Sequence, residues 1–143
     1  MKKKILCLAL IVVMLFTVLA SCGHKAPTII KPDENTVVID VTNSKDFPVD
    51  GKSLEDYMNY LASEKVLTFT IDKGMVTVIN DKAQDDKNSS YWMLYTSDAD
   101  NANEEWGVME YEGKKYGSAT LGATDLKVKD GCRYIWSYQT LSW

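Results

Sequence analysis

Apolar and polar positions alternate over much of the chain, a pattern that predicts a series of short strands. Residues 36–42 are β-branched and apolar, which predicts the first strand of a domain. From Leu67 to Ile71, apolar residues alternate with threonines, so we expect a second strand with one buried and one solvated face. Asp72-Lys73-Gly74 then predicts a three-residue hairpin turn into a strand at residues 75–80.

One segment carries helical periodicity instead. Its apolar residues recur at i, i+3, i+4 and i+7, namely Leu54, Tyr57, Met58 and Leu61. This spacing puts them on one face of a helix. Ser53 stands three residues before Asp56, which is the spacing of a capping box with a shorter acid than the usual glutamate. The pattern therefore predicts a helix that begins just after Ser53.

The C-terminal third predicts a central strand and two hairpins. Residues 91–95 are apolar on both faces, as expected in the middle of a sheet. Gly113-Lys114 predicts a tight turn with glycine first, and Asp130-Gly131 predicts a turn that joins residues 126–129 to residues 132–138. One helix against a mostly antiparallel sheet makes the predicted fold class α+β.

Two polar segments, residues 81–90 and 97–105, are predicted to be loops. From Asp98 to Glu105 the second segment carries closely spaced oxygen donors of the kind that calcium prefers. The pattern departs from an EF-hand loop, because Ala102 and Asn103 stand where that loop needs a ligand and a glycine. We therefore expect a flexible polar loop without a metal, and a calcium site is the alternative.

The N-terminus has the layout of a bacterial export signal. Lys2-Lys3-Lys4 precede an apolar run from Ile5 to Val18, whose length of roughly 21 Å as a helix falls short of a hydrocarbon core of about 30 Å. The next residues, Leu19-Ala20-Ser21-Cys22, resemble the lipobox of bacterial lipoproteins. That resemblance implies removal of residues 1–21 and a diacylglycerol on Cys22, and two acyl chains give stable anchoring. An ordinary secretion signal with an incidental cysteine is the alternative.

Removal of the signal changes both charge and cysteine content. It leaves 13 basic against 20 acidic residues, a net charge of −7, which argues against nucleic acid as a partner. Cys7 leaves with the signal and Cys22 is assigned to lipid, so Cys132 stands alone and no intrachain disulfide is expected.

The mature chain divides into a tether and one domain. Residues 22–35 contain Pro27 and Pro32 and show little periodicity, which is typical of a flexible tether. An added edge strand at residues 28–30 is the alternative. The domain is expected to run from Thr36 to Trp143.

The order of these elements is similar to that of a known family. A strand, one helix, a hairpin, Tyr91-Trp92-Met93-Leu94-Tyr95 and a closing segment from Lys129 to Tyr138 resemble the bacterial transcobalamin C-terminal-like domain. This resemblance covers about Val37 to Tyr138 and implies a β-grasp-like fold, an extracellular location and frequent attachment to lipoproteins. In the animal cobalamin carriers that name the family, the small β domain closes over cobalamin held on a helical barrel. The resemblance therefore makes a corrinoid-like ligand one candidate.

Enzyme chemistry finds little support among the residues. The one histidine, His24, lies outside the predicted domain, so a Ser-His-Asp or Cys-His arrangement has no base on the folded scaffold. No cluster suits zinc, and no glycine-rich loop suits phosphate. Glu104-Glu105 with Glu110 could imitate a glycosidase pair, and solvated surface acids are the alternative. We expect no catalytic residues and no cofactor.

Aromatic residues crowd the C-terminal third. Four of them stand on predicted central strands and are assigned to the core: Tyr91, Trp92, Trp136 and Tyr138. Four others are assigned to a candidate ligand-binding surface: Trp106, Tyr111, Tyr116 and Tyr95. The alternative for this second group is a small cluster of rings folded back over the sheet.

These observations predict a lipid-anchored binding module at the cell membrane, facing outside the cytoplasm. It would capture a small molecule or pass one to a transporter. The alternative is an interaction module that docks onto a surface protein or a wall polymer. A concave aromatic pocket would favour the first function, and a flat patch or free strand edge the second.

Overall fold

The computed structural model describes residues 29–142. Within that range the chain forms one α-helix, one short 3₁₀ helix and nine strands. In chain order these are β1 (Ile29–Asp33), β2 (Thr36–Asp40), α1 (Leu54–Ser63), β3 (Phe69–Asp72), β4 (Met75–Ile79), β5 (Lys82–Ala83), the 3₁₀ helix (Asp86–Asn88), β6 (Ser90–Thr96), β7 (Ala102–Tyr111), β8 (Lys114–Ala119) and β9 (Arg133–Thr140). The predicted α+β class is confirmed.

Six strands form the main sheet, in the spatial order β1-β2-β9-β6-β8-β7, and every neighbouring pair is antiparallel. β9 lies near the centre, where Ile135 stands opposite Val38 of β2 and Tyr95 of β6. β6 is a central strand, as its two apolar faces predict. The strands β3, β4 and β5 form a second, antiparallel sheet.

The main sheet buries apolar side chains on both of its faces. On the inner face, Tyr134 and Trp136 of β9 pack with Ile39, with the apolar stripe of α1 and with β4. The outer face carries a smaller cluster of four buried residues: Val38, Tyr95, Tyr116 and Ile135. Successive residues of a strand point to opposite faces, so β9 contributes to both clusters.

Cys132 lies half-buried at the margin of the inner cluster. Burial raises the pKa of its thiol, and Asp98 adds to that rise. A thiol that stays protonated is a weak nucleophile, so Cys132 packs as a small apolar residue.

α1 begins where the sequence predicts. The Ser53 hydroxyl accepts a hydrogen bond from the Asp56 N–H at 3.1 Å, and the Asp56 carboxylate accepts from the Ser53 N–H at 2.9 Å. The Leu54 N–H donates to the Leu126 carbonyl at 2.8 Å. The first turn of the helix is therefore satisfied by its own cap and by the loop that follows β8.

The first described residues differ from the prediction. Ile29–Asp33 forms the edge strand β1 where part of the tether was expected, and the alternative of an edge strand at residues 28–30 is close to what is observed. Ile29 packs against the inner cluster and Ile30 against the outer cluster. These two apolar contacts hold the strand in the sheet, although the sequence around the nearby prolines shows little periodicity. Residues 1–28, including the predicted signal and Cys22, lie outside the described residues.

Two hairpin turns differ from the expected types. The β3–β4 turn is the two-residue Lys73-Gly74, with φ of 49° and 82°, and the β7–β8 turn is Glu112-Gly113, with φ of 51° and 73°. Positive φ at both central residues is the type I′ geometry, whose twist matches that of the paired strands. Glycine therefore takes the second position of each turn, and the prediction of glycine first at Gly113 is wrong.

The predicted hairpin around Asp130-Gly131 is also wrong. Residues 126–129 form no strand, and their partner is the segment before α1, through a bridge between Ser53 and Lys127. Both edges of β9 are occupied by β2 and β6, so no edge is left for this segment. Asp130-Gly131 is instead a turn that delivers the chain into β9, closed by a bond of 3.1 Å from the Cys132 N–H to the Lys129 carbonyl.

The polar segment at residues 81–90 is structured, contrary to expectation. Lys82–Ala83 pairs with β4, and the Asp85 carboxylate caps the 3₁₀ helix by accepting from the Lys87 and Asn88 N–H groups.

None of the helices between residues 29 and 142 combines the length and apolar character needed to cross a membrane.

The capping box yields a stability prediction. Ser53→Ala removes the acceptor for the Asp56 N–H and should lower the free energy of unfolding by about 1 kcal/mol in urea titrations. Asn59→Ala, an exposed position in the same helix, is the control and should change it by less than about 0.5 kcal/mol. Equal effects of the two substitutions would contradict a role for the cap.

Candidate functional site

The structure separates the four residues that were assigned to ligand binding. Tyr95 and Tyr116 are buried in the outer cluster, and Tyr111 packs against it. The Tyr95 hydroxyl donates to Gln139 Oε1 at 3.1 Å, and the Tyr116 hydroxyl accepts from Arg133 at 3.3 Å. Three of the four rings therefore form the small cluster over the sheet that was the alternative.

Arg133 fixes the edge of this cluster. Its guanidinium binds both carboxylate oxygens of Asp40, at 2.5 and 3.0 Å, and one of Glu112 at 2.8 Å. It also lies 5.5 Å from the centre of the Tyr111 ring. The hydrogen bond to Asp40 outweighs burial and holds the pKa of Arg133 above its ordinary value. The positive charge of Arg133 is already balanced by the carboxylates of Asp40 and Glu112. This edge therefore stabilises the cluster and is a poor site for a further anion.

Trp106 stands apart from the other three residues. It is 66% exposed on β7, within the irregular stretch where the pairing with β8 shifts between Asn103 and Val108. The ring therefore sits on an open surface.

The segment after β6 is a turn built around one buried carboxylate. Asp98 accepts hydrogen bonds from the Asp100 N–H at 3.2 Å and from the Asn101 side chain at 2.7 Å. Lys129 Nζ lies 2.7 Å from Asp98 and 2.5 Å from Asp100. The ammonium group thus occupies the position that a cation would take between the two acids. Over residues 29–142, no group of three or more His, Cys, Asp or Glu side chains is arranged to hold a metal.

The Asp98 turn makes stability depend on acid pH. Burial raises the pKa of Asp98, but hydrogen bonds from Lys129 and Asn101 outweigh it and hold the pKa below the ordinary value of 3.8. A depressed pKa means that the ionised group stabilises the fold above about pH 4 and that this stabilisation is lost as the pH falls through the native pKa.

We expect Asp98→Asn to reduce the loss of stability between about pH 6 and about pH 3, measured by urea unfolding at each pH, because it removes one such group. Asp125→Asn, an exposed carboxyl in another loop, is the control and should keep the wild-type difference. An unchanged pH dependence in Asp98→Asn would refute this account of the turn.

A cleft lies beside β6, where the main sheet meets the second sheet. Its volume is about 510 Å³. One wall is residues 91–94 of β6, and the others are the β3–β4 turn with β4, the end of β8 with its following loop, and Leu141. The lining is mostly apolar and comprises Gly74, Met75, Val76, Gln84, Tyr91, Trp92, Met93, Leu94, Ser118, Ala119, Thr120, Leu121, Gly122, Trp136 and Leu141.

Two glycines close one end of this cleft. A Cβ atom on Gly122 would lie only 3.3 Å from the carbonyl oxygen of Gly74. The backbone of the β3–β4 turn and the backbone of the loop after β8 are therefore in close contact. Met75 and Leu121 flank this meeting point and are 61% and 45% exposed, so the cleft has an apolar rim.

Two tryptophans line the cleft and differ in how their indole N–H groups are satisfied. Trp92 Nε1 donates to the Lys82 carbonyl at 2.9 Å. Trp136 is 4% exposed, and its Nε1 finds no acceptor in the described part of the chain. A buried donor without an acceptor costs about 1–3 kcal/mol. The Trp136 side chain carries this cost, and its indole nitrogen itself has almost no accessible surface.

Two other clefts are lined by charged side chains. One contains Lys31, Asp33, Glu34, Asp81 and Lys82. The other contains Asp40, Lys114, Lys115 and Arg133. The cleft at Trp136 has no charged side chain in its described lining, so it is the candidate site for an uncharged ligand.

Sequence reasoning singled out the two tryptophans of this cleft but not their place in a site. Trp92 and Trp136 were assigned to the core, and both are buried. Tyr91 and Tyr138 are only half-buried, so that assignment holds in part. The cleft forms because β8 pairs with β6 over only two residues and then diverges, a long-range feature with no local sequence signal.

Comparison of the chain with protein-family models, with curated proteins and with solved structures finds no match in any of the three.

Proposed function

We propose that this chain is a non-catalytic binding module, anchored by lipid on Cys22 and facing outside the cytoplasm, that captures a small, uncharged ligand in the cleft at Trp136. The observation that carries the proposal is a cleft of about 510 Å³ whose described lining is mostly apolar and contains no charged side chain. An uncharged, largely apolar ligand matches such a lining.

The dimensions and composition of the cleft support this proposal. A volume of about 510 Å³ falls within the range of small-molecule sites, which are mostly apolar with a few polar groups that fix orientation. The exposed rim residues Met75 and Leu121 lose water contact when a ligand covers them. Binding therefore gains from apolar burial.

The surroundings of the module are proposed from the sequence. The lipobox-like segment supports a membrane anchor, and the acidic mature chain disfavours nucleic acid as a partner. The single helix and antiparallel sheet agree with the α+β class, and the β-grasp-like arrangement that the transcobalamin-like resemblance implies is part of the proposal. Corrinoids therefore belong in a ligand screen, together with ligands destined for a transporter.

A second candidate function rests on a different surface. Trp106 and Val108 are 66% and 43% exposed on β7, the last strand of the main sheet. Large exposed rings at a sheet edge are typical of protein contacts. Docking onto a surface protein or a wall polymer would use this edge and leave the cleft free.

Binding to the cleft is tested with a neutral apolar dye, Nile red, whose emission rises in apolar sites. We expect Leu121→Glu to weaken dye binding by about tenfold, because it places a charge at the rim of an apolar site. Val108→Glu introduces the same charge at a residue of similar exposure outside the cleft and should leave binding unchanged. Equal loss in both variants, or no dye binding by the wild type, would refute the cleft as the site.

The anchor is tested separately in cells that produce the full chain. Radiolabelled palmitate should enter the wild-type protein and be absent from Cys22→Ser, which should accumulate outside the membrane fraction or with residues 1–21 uncleaved. Label in Cys22→Ser, or none in the wild type, would rule out lipid on Cys22.

A further inference from the structure

The pairing of β6 is interrupted on the side that faces the cleft. At one end of the strand, the N–H and C=O of Ser90 both bond to Asp85, at 2.9 and 2.8 Å. At the other end, Tyr95 and Thr96 pair with Ser118 and Gly117 of β8. Between these two points, residues 91–94 have no strand beside them in the described structure. On the opposite side β6 pairs with β9 along its whole length.

Alternation along the strand decides which backbone groups face this gap. The N–H and C=O of Ser90 point away from β9. Because this direction repeats every two residues along a strand, the N–H and C=O of Trp92 and the N–H of Leu94 also point away from β9. The Ser97 N–H bonds to the Arg133 carbonyl on the β9 side, which fits the same alternation. The gap therefore presents a donor and an acceptor from Trp92 and a further donor from Leu94.

The length and charge of the gap limit what can fill it. Four residues at about 3.3 Å each span roughly 13 Å. No charged side chain is among the described residues that line the cleft, although the mature chain carries a net charge of −7. The matching occupant is therefore uncharged, short, and equipped with alternating amide donors and acceptors.

We infer that the cleft receives an extended, uncharged peptide segment of three or four residues, which pairs with β6 at Trp92 and completes the interrupted side of that strand. The inference rests on the proposed function and names the ligand class for the same site. Backbone hydrogen bonds to Trp92 supply the pairing, and apolar side chains of the peptide lie against Leu94 and Leu121.

The test uses the full chain and two capped tetrapeptides, acetyl-Val-Thr-Val-Thr-amide and the same peptide with every backbone nitrogen methylated. Methylation keeps the side chains and removes the N–H donors that strand pairing needs. We expect the unmodified peptide to displace Nile red from the cleft and the methylated peptide to be weaker by about tenfold or more. Hydrogen exchange of the Trp92 amide should slow when the unmodified peptide is present.

The outcomes separate the inference from the proposed function. If both peptides displace the dye equally, or if the Trp92 amide exchanges as before, strand pairing is refuted. If the dye binds but neither peptide displaces it at millimolar concentration, the ligand is not a peptide, while the binding function stands. If the dye itself does not bind, the proposed function and the inference both fail.

Discussion

The pairing of β9 with β2 and β6 is the constraint on which the rest of the molecule depends. β9 places Tyr134 and Trp136 in the inner cluster and Ile135 in the outer one. A slip of one residue in its register would exchange the two sets and bring the Arg133 guanidinium into the apolar core. Because the described chain has no disulfide to hold it, this alternation specifies the arrangement of both faces. The position of Trp136 in the cleft wall follows from the same register.

Local chemistry in the sequence was enough for the helix and for the central strands. The cap at Ser53 and the apolar spacing behind it depend on neighbours three or four residues apart, and the structure confirms them. The same is true of the alternation along β9. Predictions failed where an element depends on distant partners. β1 exists because Ile29 and Ile30 meet β2, and residues 126–129 lie beside Ser53 because β9 has no free edge.

The candidate site shows even more clearly that features set by distant partners are not predicted from local sequence. Four aromatic residues were expected to form a binding surface, yet Tyr95 and Tyr116 are buried. The strands β9, β6 and β8 lie side by side, which brings the Tyr95 hydroxyl to Gln139 and the Tyr116 hydroxyl to Arg133. The cleft arises instead where β8 diverges from β6, and no residue type in the sequence indicates that divergence. Residue identity alone could recognise Trp136 as a core residue. Its unpaired nitrogen becomes visible only when its surroundings are known.

The early start of β1 also limits how far the module can stand from a membrane. If Cys22 carries the lipid, the chain has seven residue steps before the sheet begins at Ile29, and a fully extended chain covers about 25 Å in that distance. This reach is less than the thickness of the hydrocarbon core, about 30 Å. The first residue of the sheet would therefore lie no more than about 25 Å from the lipidated cysteine. Any molecule that the domain receives or hands over would have to come within one domain's width of the bilayer.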